Sequence, residues 1–447
     1  MKILALVLII FFTISSPLRG LALSTSEEKK LGERLAKELA RKLEIVRDPV
    51  INFYVWRVGK RIVKEASDTR FRYRFYVVKE PEPNAFTIPG GHVYVTSGLL
   101  RMVEDEDELA GVLAHEVAHS ILRHISKAMD RAKRISLATL AAIIAGAFLS
   151  RNAKGAEAIG TSAIAMAQSL MLRYTRENEV EADQLGVKLM TRAGYRPGAM
   201  VRFLKKIYKW ERMTSPDVPT YLRTHPAISD RIAYLSQSYP SVDVVRSHTL
   251  GGLKKVQKRV FVIEKGPFGA LEQFGGLTGD DPDLLYGLGI ALLGSGREEG
   301  ALSCFEKALS KSPDDPYILR EIGLVLYRRG APRKACPYLE KAVEAFPLDE
   351  ELIDALALLY RKEGRWDEAV LLYERALKEE MCPALYRSLG ELYAQKGDRV
   401  LAHKNFGLFF LRKGDKRMAL YHFRKAMKKA RGAEKREIEG LIEECER

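Results

Sequence analysis

Apolar residues are arranged in three different ways along the chain. Near the start, Ile3 to Ile14 is an almost unbroken apolar run behind Lys2, closed by Ser15, Ser16 and Pro17. It is shorter than the ~20 residues a comfortable membrane span needs. With small residues at Gly20-Leu21-Ala22, it reads as a secretory signal over residues 1–22, with an uncleaved anchor as the alternative.

From 23 to 240 the pattern is mixed. Leu31–Lys42 and Val50–Glu65 have helical periodicity, Phe71–Val78 alternates like a strand, and Thr87–Thr96 is a second extended stretch kinked at Pro89-Gly90-Gly91. Five acids, Glu104 to Glu108, suit the start of a following helix through its macrodipole. Ile135 to Ser150 carries no charge, so it is either a membrane-contacting surface or a helical hairpin burying its apolar face. Residues 241–280 mix Gly, Lys and short strand-like runs such as Arg259–Ile263, and are expected to be a linker.

From 281 the pattern repeats. Gly289, Gly323 and Ala357 are 34 apart and Gly390 follows at 33; Gly296, Gly330, Gly364 and Gly397 keep that step, as do Ala301, Ala335, Ala369 and Ala402. Large side chains follow four residues on, at Phe305, Leu339, Tyr373 and Phe406. This spacing resembles the tetratricopeptide repeat, a helix-turn-helix unit that must stack to bury its apolar face. After Gly397 the next turn glycine, Gly414, comes only 17 residues later, yet Ala419, Phe423 and Ala426 repeat the second-helix pattern. One helix then serves two successive units, giving repeats over 281–430 and a C-terminal helix over 431–447.

The chemistry is concentrated at His115-Glu116-Val117-Ala118-His119. Histidines at i and i+4 lie about 40° apart around a helix and can share one metal ion, with the intervening glutamate as general base toward a water of lowered pKa. His124 is five residues beyond His119, about 140° round a continuous helix, and is expected to face elsewhere. Leu122 and Ile125 stand where the metzincin extension needs Gly and His, which excludes that subclass. Catalytic zinc needs a third protein ligand. Glu179 and Asp183, at i and i+4 on a second helix, fit as ligand and neighbour, whereas Glu177 and Glu181 point away. Asp183 either orients a ligand histidine or donates a proton to the leaving amine.

Asn84-Ala85-Phe86-Thr87-Ile88-Pro89-Gly90-Gly91, the HEVAH segment, Arg176 with Glu179-Val180-Glu181-Ala182-Asp183-Gln184-Leu185-Gly186, and Thr224-His225-Pro226 followed by Arg231-Ile232 together resemble the HtpX and CAAX-prenyl-protease type of zinc metallopeptidases. The order of motifs and repeats is most similar to periplasmic members that join this protease to tetratricopeptide repeats. The resemblance implies a mainly α chain, with a zincin-like α+β protease domain followed by an α-solenoid. It implies one Zn2+ held by His115, His119 and Glu179, with Glu116 as general base and Asp183 as an active-site residue. It also places His225 and Arg231 near the metal. His225 would then fill the open zinc position and hold the enzyme latent, or Thr224-His225-Pro226 simply starts a helix. Arg231 would stabilise an oxyanion or anchor a loop. Gly91, His92, Val93, Tyr94 and Val95 are expected to form a substrate-binding edge strand.

Charge refines the expected partners. The formal net charge is +15, or +13 once Lys2 and Arg19 leave with the signal. That favours anionic partners, including acidic lipid headgroups; no nucleic-acid signature accompanies it. The four cysteines, Cys304, Cys336, Cys382 and Cys445, have no CxxC spacing, which excludes zinc-cluster and thioredoxin chemistry and leaves disulfides or free thiols. The expected protein is an exported, periplasmic endopeptidase acting on misfolded or stalled envelope proteins, with a recruiting solenoid. The alternative is a chaperone or assembly adaptor with a mostly latent site.

Overall fold

A computed structural model describes residues 24–67, 70–131, 175–214, 221, 224–239, 249–276, 279–378 and 383–446. The apolar segments Ile3–Ile14 and Ile135–Ser150, and Cys382, lie outside them. The chain divides into two compact units: one from residues 1–46 and 55–251, the other from 47–54 and 252–447.

In the first unit, α1 (Thr25–Lys42) and the part of α2 (Pro49–Lys64) from residue 55 onward precede a three-stranded sheet of β1 (Arg74–Val78), β2 (Ala85–Ile88) and β3 (His92–Thr96). The order is β1-β3-β2, with β1 parallel and β2 antiparallel to β3. The segment Thr87–Thr96, expected as one kinked extended stretch, is instead the second half of a hairpin. Gly90 and Gly91 turn the chain with φ +83° and +84°, a region that glycine occupies without steric cost.

This pairing corrects the edge-strand expectation. Residues 92–95 belong to the central strand: His92 pairs with both Arg74 and Ile88, and Val95 with both Val77 and Ala85. Both ladders of β3 are used, so β1 and β2 are the outer strands of this sheet.

A short helix α3 (Ser97–Met102) follows, and then the longer α4 (Glu106–Ile121), which carries HEVAH. Asp105 caps α4 by accepting from the Glu108 amide at 2.9 Å. The acidic start does more than complement the dipole. Asp107 pairs with Arg196 at 2.7 Å, Asp105 with Arg202 at 2.6 Å and Glu108 with Lys206 at 2.7 Å, pinning α4 to the turn and helix after α6 (Arg176–Arg192), namely α7 (Gly198–Thr214). A short helix α5 (His124–Arg131) leaves the end of α4, and α8 (Ile228–Ser238) completes the described part of the unit.

The second unit is helical throughout its described residues. Within the segment expected as a linker, residues 253–275 form α9 (Leu253–Gly275), which packs on α10 (Pro282–Gly294) as the first layer of the stack. The run Arg259–Ile263 is therefore helix, because Val256 and Val260, one turn apart, are buried there, and Lys255 and Arg259 find partly buried acids. A non-helical Gly266 (φ +74°) before Pro267 kinks α9. The stack continues through α11 (Glu298–Lys311), α12 (Pro316–Arg328), α13 (Pro332–Ala345), α14 (Glu350–Lys362), α15 (Trp366–Leu377), α16 (Ala384–Lys396), α17 (Arg399–Lys413), α18 (Lys416–Met427) and α19 (Gly432–Glu446). Each layer closes by the same small-to-large contact. A Cβ on Gly289 would meet the Phe305 ring at 2.4 Å, one on Gly390 the Phe406 ring at 2.8 Å, and one on Gly407 the Phe423 ring at 2.3 Å. Helix α17 thus offers Phe406 to α16 and Gly407 to α18. Cys304, Cys336 and Cys445 are thiols, not disulfides.

One charged network is buried in this unit. Arg259 pairs with Asp48 (2.7 Å) and Glu321 (2.7 Å); Arg320 also holds Glu321 (2.7 Å) and reaches Asp349 (2.5 Å). Burial alone would raise the Asp48 and Glu321 carboxyls, but the two guanidiniums outweigh it and hold both below their ordinary values. Arg259→Met leaves Asp48 and half of Glu321 unpaired, so it should destabilise the helical unit by about 3 kcal/mol in urea melts. The carboxyls bind protons more weakly folded than unfolded. Their contribution is therefore complete above roughly pH 5 and is lost as the pH falls below about 4. Unchanged stability of the variant across that range would contradict this account.

Candidate metal centre

Helix α4 places His115 and His119 one turn apart on its buried face, with their Nε2 atoms 3.0 Å apart. Helix α6 crosses α4 closely at Gly186, where a Cβ would stand 3.1 Å from the His115 amide nitrogen. This approach brings Glu179 within reach: its carboxylate lies 3.3 Å from His119 Nε2 and 3.5 Å from His115 Nε2. His225 enters from the segment before α8, with Nδ1 3.3 Å from His115 Nε2 and 3.2 Å from Glu179 Oε1. One donor atom from each of these four buried residues lies within 4.8 Å of all the others.

The spacing fits zinc. Four donors at ~2.0–2.1 Å in a tetrahedron stand roughly 3.3–3.4 Å from one another, and five of the contacts here, taken over both Glu179 oxygens, are 3.0 to 3.5 Å. Glu116, one residue round α4, is fully buried, and neither of its carboxylate oxygens has a hydrogen-bond partner among the described residues. Its nearest cationic neighbour is His225 Nε2, at 3.4 Å. Burial pushes the Glu116 carboxyl above its usual value, against the pull of His225 and His115. That is the direction a general base needs.

Asp183 faces away from the donors and toward the ring behind one of them. Its Oδ1 is 2.9 Å from His115 Nδ1, so it fixes that ring with Nε2 turned to the centre. Arg231 donates to the same carboxylate through Nε (2.8 Å) and Nη2 (2.7 Å), and Tyr234 donates its hydroxyl. Burial alone would raise the Asp183 carboxyl; Arg231, followed by His115, overrides it and keeps the group ionised far below the usual carboxylate range. A group held in that state is a poor proton donor, which favours the orienting role over donation to the leaving amine. Arg231 also reaches Glu179 at 2.6 Å. Its guanidinium is spent on two carboxylates, which favours the anchoring reading over an oxyanion contact.

Thr224 does not cap α8. Its hydroxyl donates to the Tyr221 carbonyl (3.0 Å), and α8 starts after Ala227, a left-handed residue (φ +61°). The turn delivers His225, stacked on the Tyr221 ring at 4.8 Å between centroids.

The sequence reading missed His124 and Glu181. Helix α4 stops at Ile121, and Arg123 takes a left-handed conformation (φ +57°), so the next helix begins at His124 in a new direction. His124 therefore does not face away. Its Nδ1 is 2.8 Å from His119 Nδ1, and its Nε2 is 3.1 Å from Glu181 Oε2. No glycine marks this break, so periodicity alone could not show it. Tyr234 was more accessible to inspection, three residues after Arg231 and hence on the same helix face.

Residues 50–238 match the model of Peptidase family M48, and residues 291–388 match that of the Psidin N-terminal TPR repeats region. A Beta-barrel assembly-enhancing protease of Yersinia pestis is 33% identical over 215 residues, covering 48% of this chain and 44% of that protein. The protein of the same name from Escherichia coli K12 is 31% identical with the same coverage. A Mitochondrial metalloendopeptidase OMA1 of Schizosaccharomyces pombe is 32% identical over 198 residues, 43% of this chain and 54% of that one. Among solved structures, a MamA protein is 23% identical and covers 40% of this chain, at a TM-score of 0.29. The chain spans less than half the length of the first of these curated relatives.

The donor set and the family match together define a zinc metallopeptidase domain. Residues 50–238 match the peptidase family M48 model, and a helical tetratricopeptide-like stack follows them.

Proposed function

We propose that this chain is an exported zinc endopeptidase that cleaves misfolded or stalled envelope proteins, with the helical stack recruiting substrate or an assembly partner. The observation that carries the reading is the convergence of His115, His119 and Glu179 beside a buried Glu116 whose oxygens lack hydrogen bonds. The relatives named for β-barrel assembly and for metalloendopeptidase activity support it. An extended substrate would add to the sheet at an outer strand, in place of β3.

Zinc, when bound there, supplies charge to polarise a carbonyl and lowers the pKa of a water. Glu116 accepts the proton of the attacking water on a carboxylate oxygen and returns it to the leaving amine nitrogen. Asp183 holds His115 in the tautomer with Nε2 free, and Arg231 balances the two flanking carboxylates. Glu116→Gln keeps the shape and removes the base. It should retain one zinc per chain while casein cleavage falls by at least about 10³-fold; cleavage at the wild-type rate would reject the mechanism.

His225 supports a second reading, that of a site held latent. Three protein ligands and an open position are the catalytic pattern, and His225 brings a fourth donor to the same point. His225→Ala should raise peptidase activity several-fold with zinc retained. Loss of activity at full zinc occupancy would instead place His225 in the catalytic step.

The charge excess has a focus suited to peripheral membrane contact. Arg399 to Arg431 holds eleven Lys or Arg and a single acid, Asp415. Arg417, Leu420, Tyr421, Arg424, Lys425 and Lys428 line one shallow depression along α18, with Tyr421 51% exposed. Basic side chains around an aromatic suit an anionic lipid surface. Sedimentation with vesicles containing phosphatidylglycerol should be strong at low salt and lost in the triple variant Arg417→Glu, Lys425→Glu, Lys428→Glu. Equal binding by that variant would exclude this face.

A further inference from the structure

The two histidines of HEVAH are held from behind by different chemistry. His115 has the Asp183 carboxylate at its Nδ1. His119 has another imidazole, that of His124, at 2.8 Å. We propose that His124, oriented by Glu181, is a positioning residue that fixes the tautomer and ring angle of His119. This rests on the metal site proposed above.

Proton bookkeeping assigns each atom. A carboxylate only accepts, so the contact between Glu181 Oε2 and His124 Nε2 puts the His124 hydrogen on Nε2. Neutral His124 then presents a lone pair at Nδ1. His119 must fill the 2.8 Å contact by donating from its own Nδ1. That leaves His119 Nε2 as a lone pair 3.3 Å from Glu179 Oε1 and 3.0 Å from His115 Nε2, facing the donor cluster. The reverse arrangement would put a hydrogen on His119 Nε2 and close the site to a cation.

The backbone is arranged to make this contact. On a continuous helix His124 would lie about 140° from His119. The left-handed Arg123 redirects the chain through a conformation that is strained for a residue other than glycine. Arg123 is tied in place by Glu28 of α1, with Nε to Oε2 at 2.6 Å and Glu28 only 1% exposed. His124 itself is 2% exposed, so water does not compete for its Nδ1. Glu181 is 56% exposed at its side chain, which makes it the member that can be changed with little effect on folding.

The test is zinc affinity, read by competition with a chromogenic chelator, in full-length wild type, His124→Phe, His124→Asn and Glu181→Ala. Phenylalanine keeps the ring but offers no acceptor. Its zinc affinity should fall about 10–100-fold, the usual loss when such a partner of a ligand histidine is removed. Asparagine offers a carbonyl to His119 Nδ1 and should recover most of that loss, which a purely space-filling role would not allow. Glu181→Ala should weaken zinc several-fold with an unchanged melting temperature of the metal-free protein. Wild-type affinity in folded Glu181→Ala and folded His124→Phe would overturn the inference and leave the metal site standing. If His124→Phe does not fold, the Glu181→Ala affinity decides alone. Wild type that binds no zinc would overturn the site and this inference together.

Discussion

Everything at the site depends on one close crossing. Two imidazoles one turn apart on α4 can share a cation with a distant glutamate only where a second helix runs nearly against the first. Gly186 permits that, sitting where any side chain would press on the His115 backbone. The salt bridges from Asp105, Asp107 and Glu108 to the chain after α6 hold α4 against its neighbours near its other end. Glu179 and Asp183 then fall one turn apart on the facing side of α6, the first at the donor cluster and the second behind a ring.

Such a crossing gathers Glu116, Glu179 and Asp183 in a volume closed to water. Among the described residues, Arg231 is the fixed cation that touches two of them, and a divalent ion would balance the rest. This explains why an arginine sits 2% exposed beside a metal site rather than against substrate. It also explains why backbone strain collects here, at Arg123 and Ala227. Each left-handed residue delivers a histidine, His124 or His225, that no regular helix could bring to the centre.

The features legible in the sequence are those set by short-range periodicity. The i, i+4 pair of HEVAH and the i, i+4 acids Glu179 and Asp183 meet as their spacing implies, and the 34-residue recurrence marks the helical stack. What escaped depends on long-range pairing or on unmarked backbone breaks. The central position of β3 follows from a parallel pairing with β1, which local alternation does not encode. The helix at 253–275 was obscured because Lys255 and Arg259 sit on its buried face, where a sequence reading expects apolar residues; their acids lie at Asp48, Asp283, Asp315 and Glu321. His124 was lost because its position assumed a helix that ends three residues earlier, at Ile121.

The most direct test of the convergence is X-ray absorption at the zinc edge on the purified full-length chain. The account predicts one zinc surrounded only by nitrogen and oxygen at ~2.0–2.1 Å, with an imidazole scattering pattern that diminishes when His115 is changed to Ala. Sulfur at ~2.3 Å in the zinc shell, or a spectrum indifferent to His115→Ala, would place the metal elsewhere and contradict it.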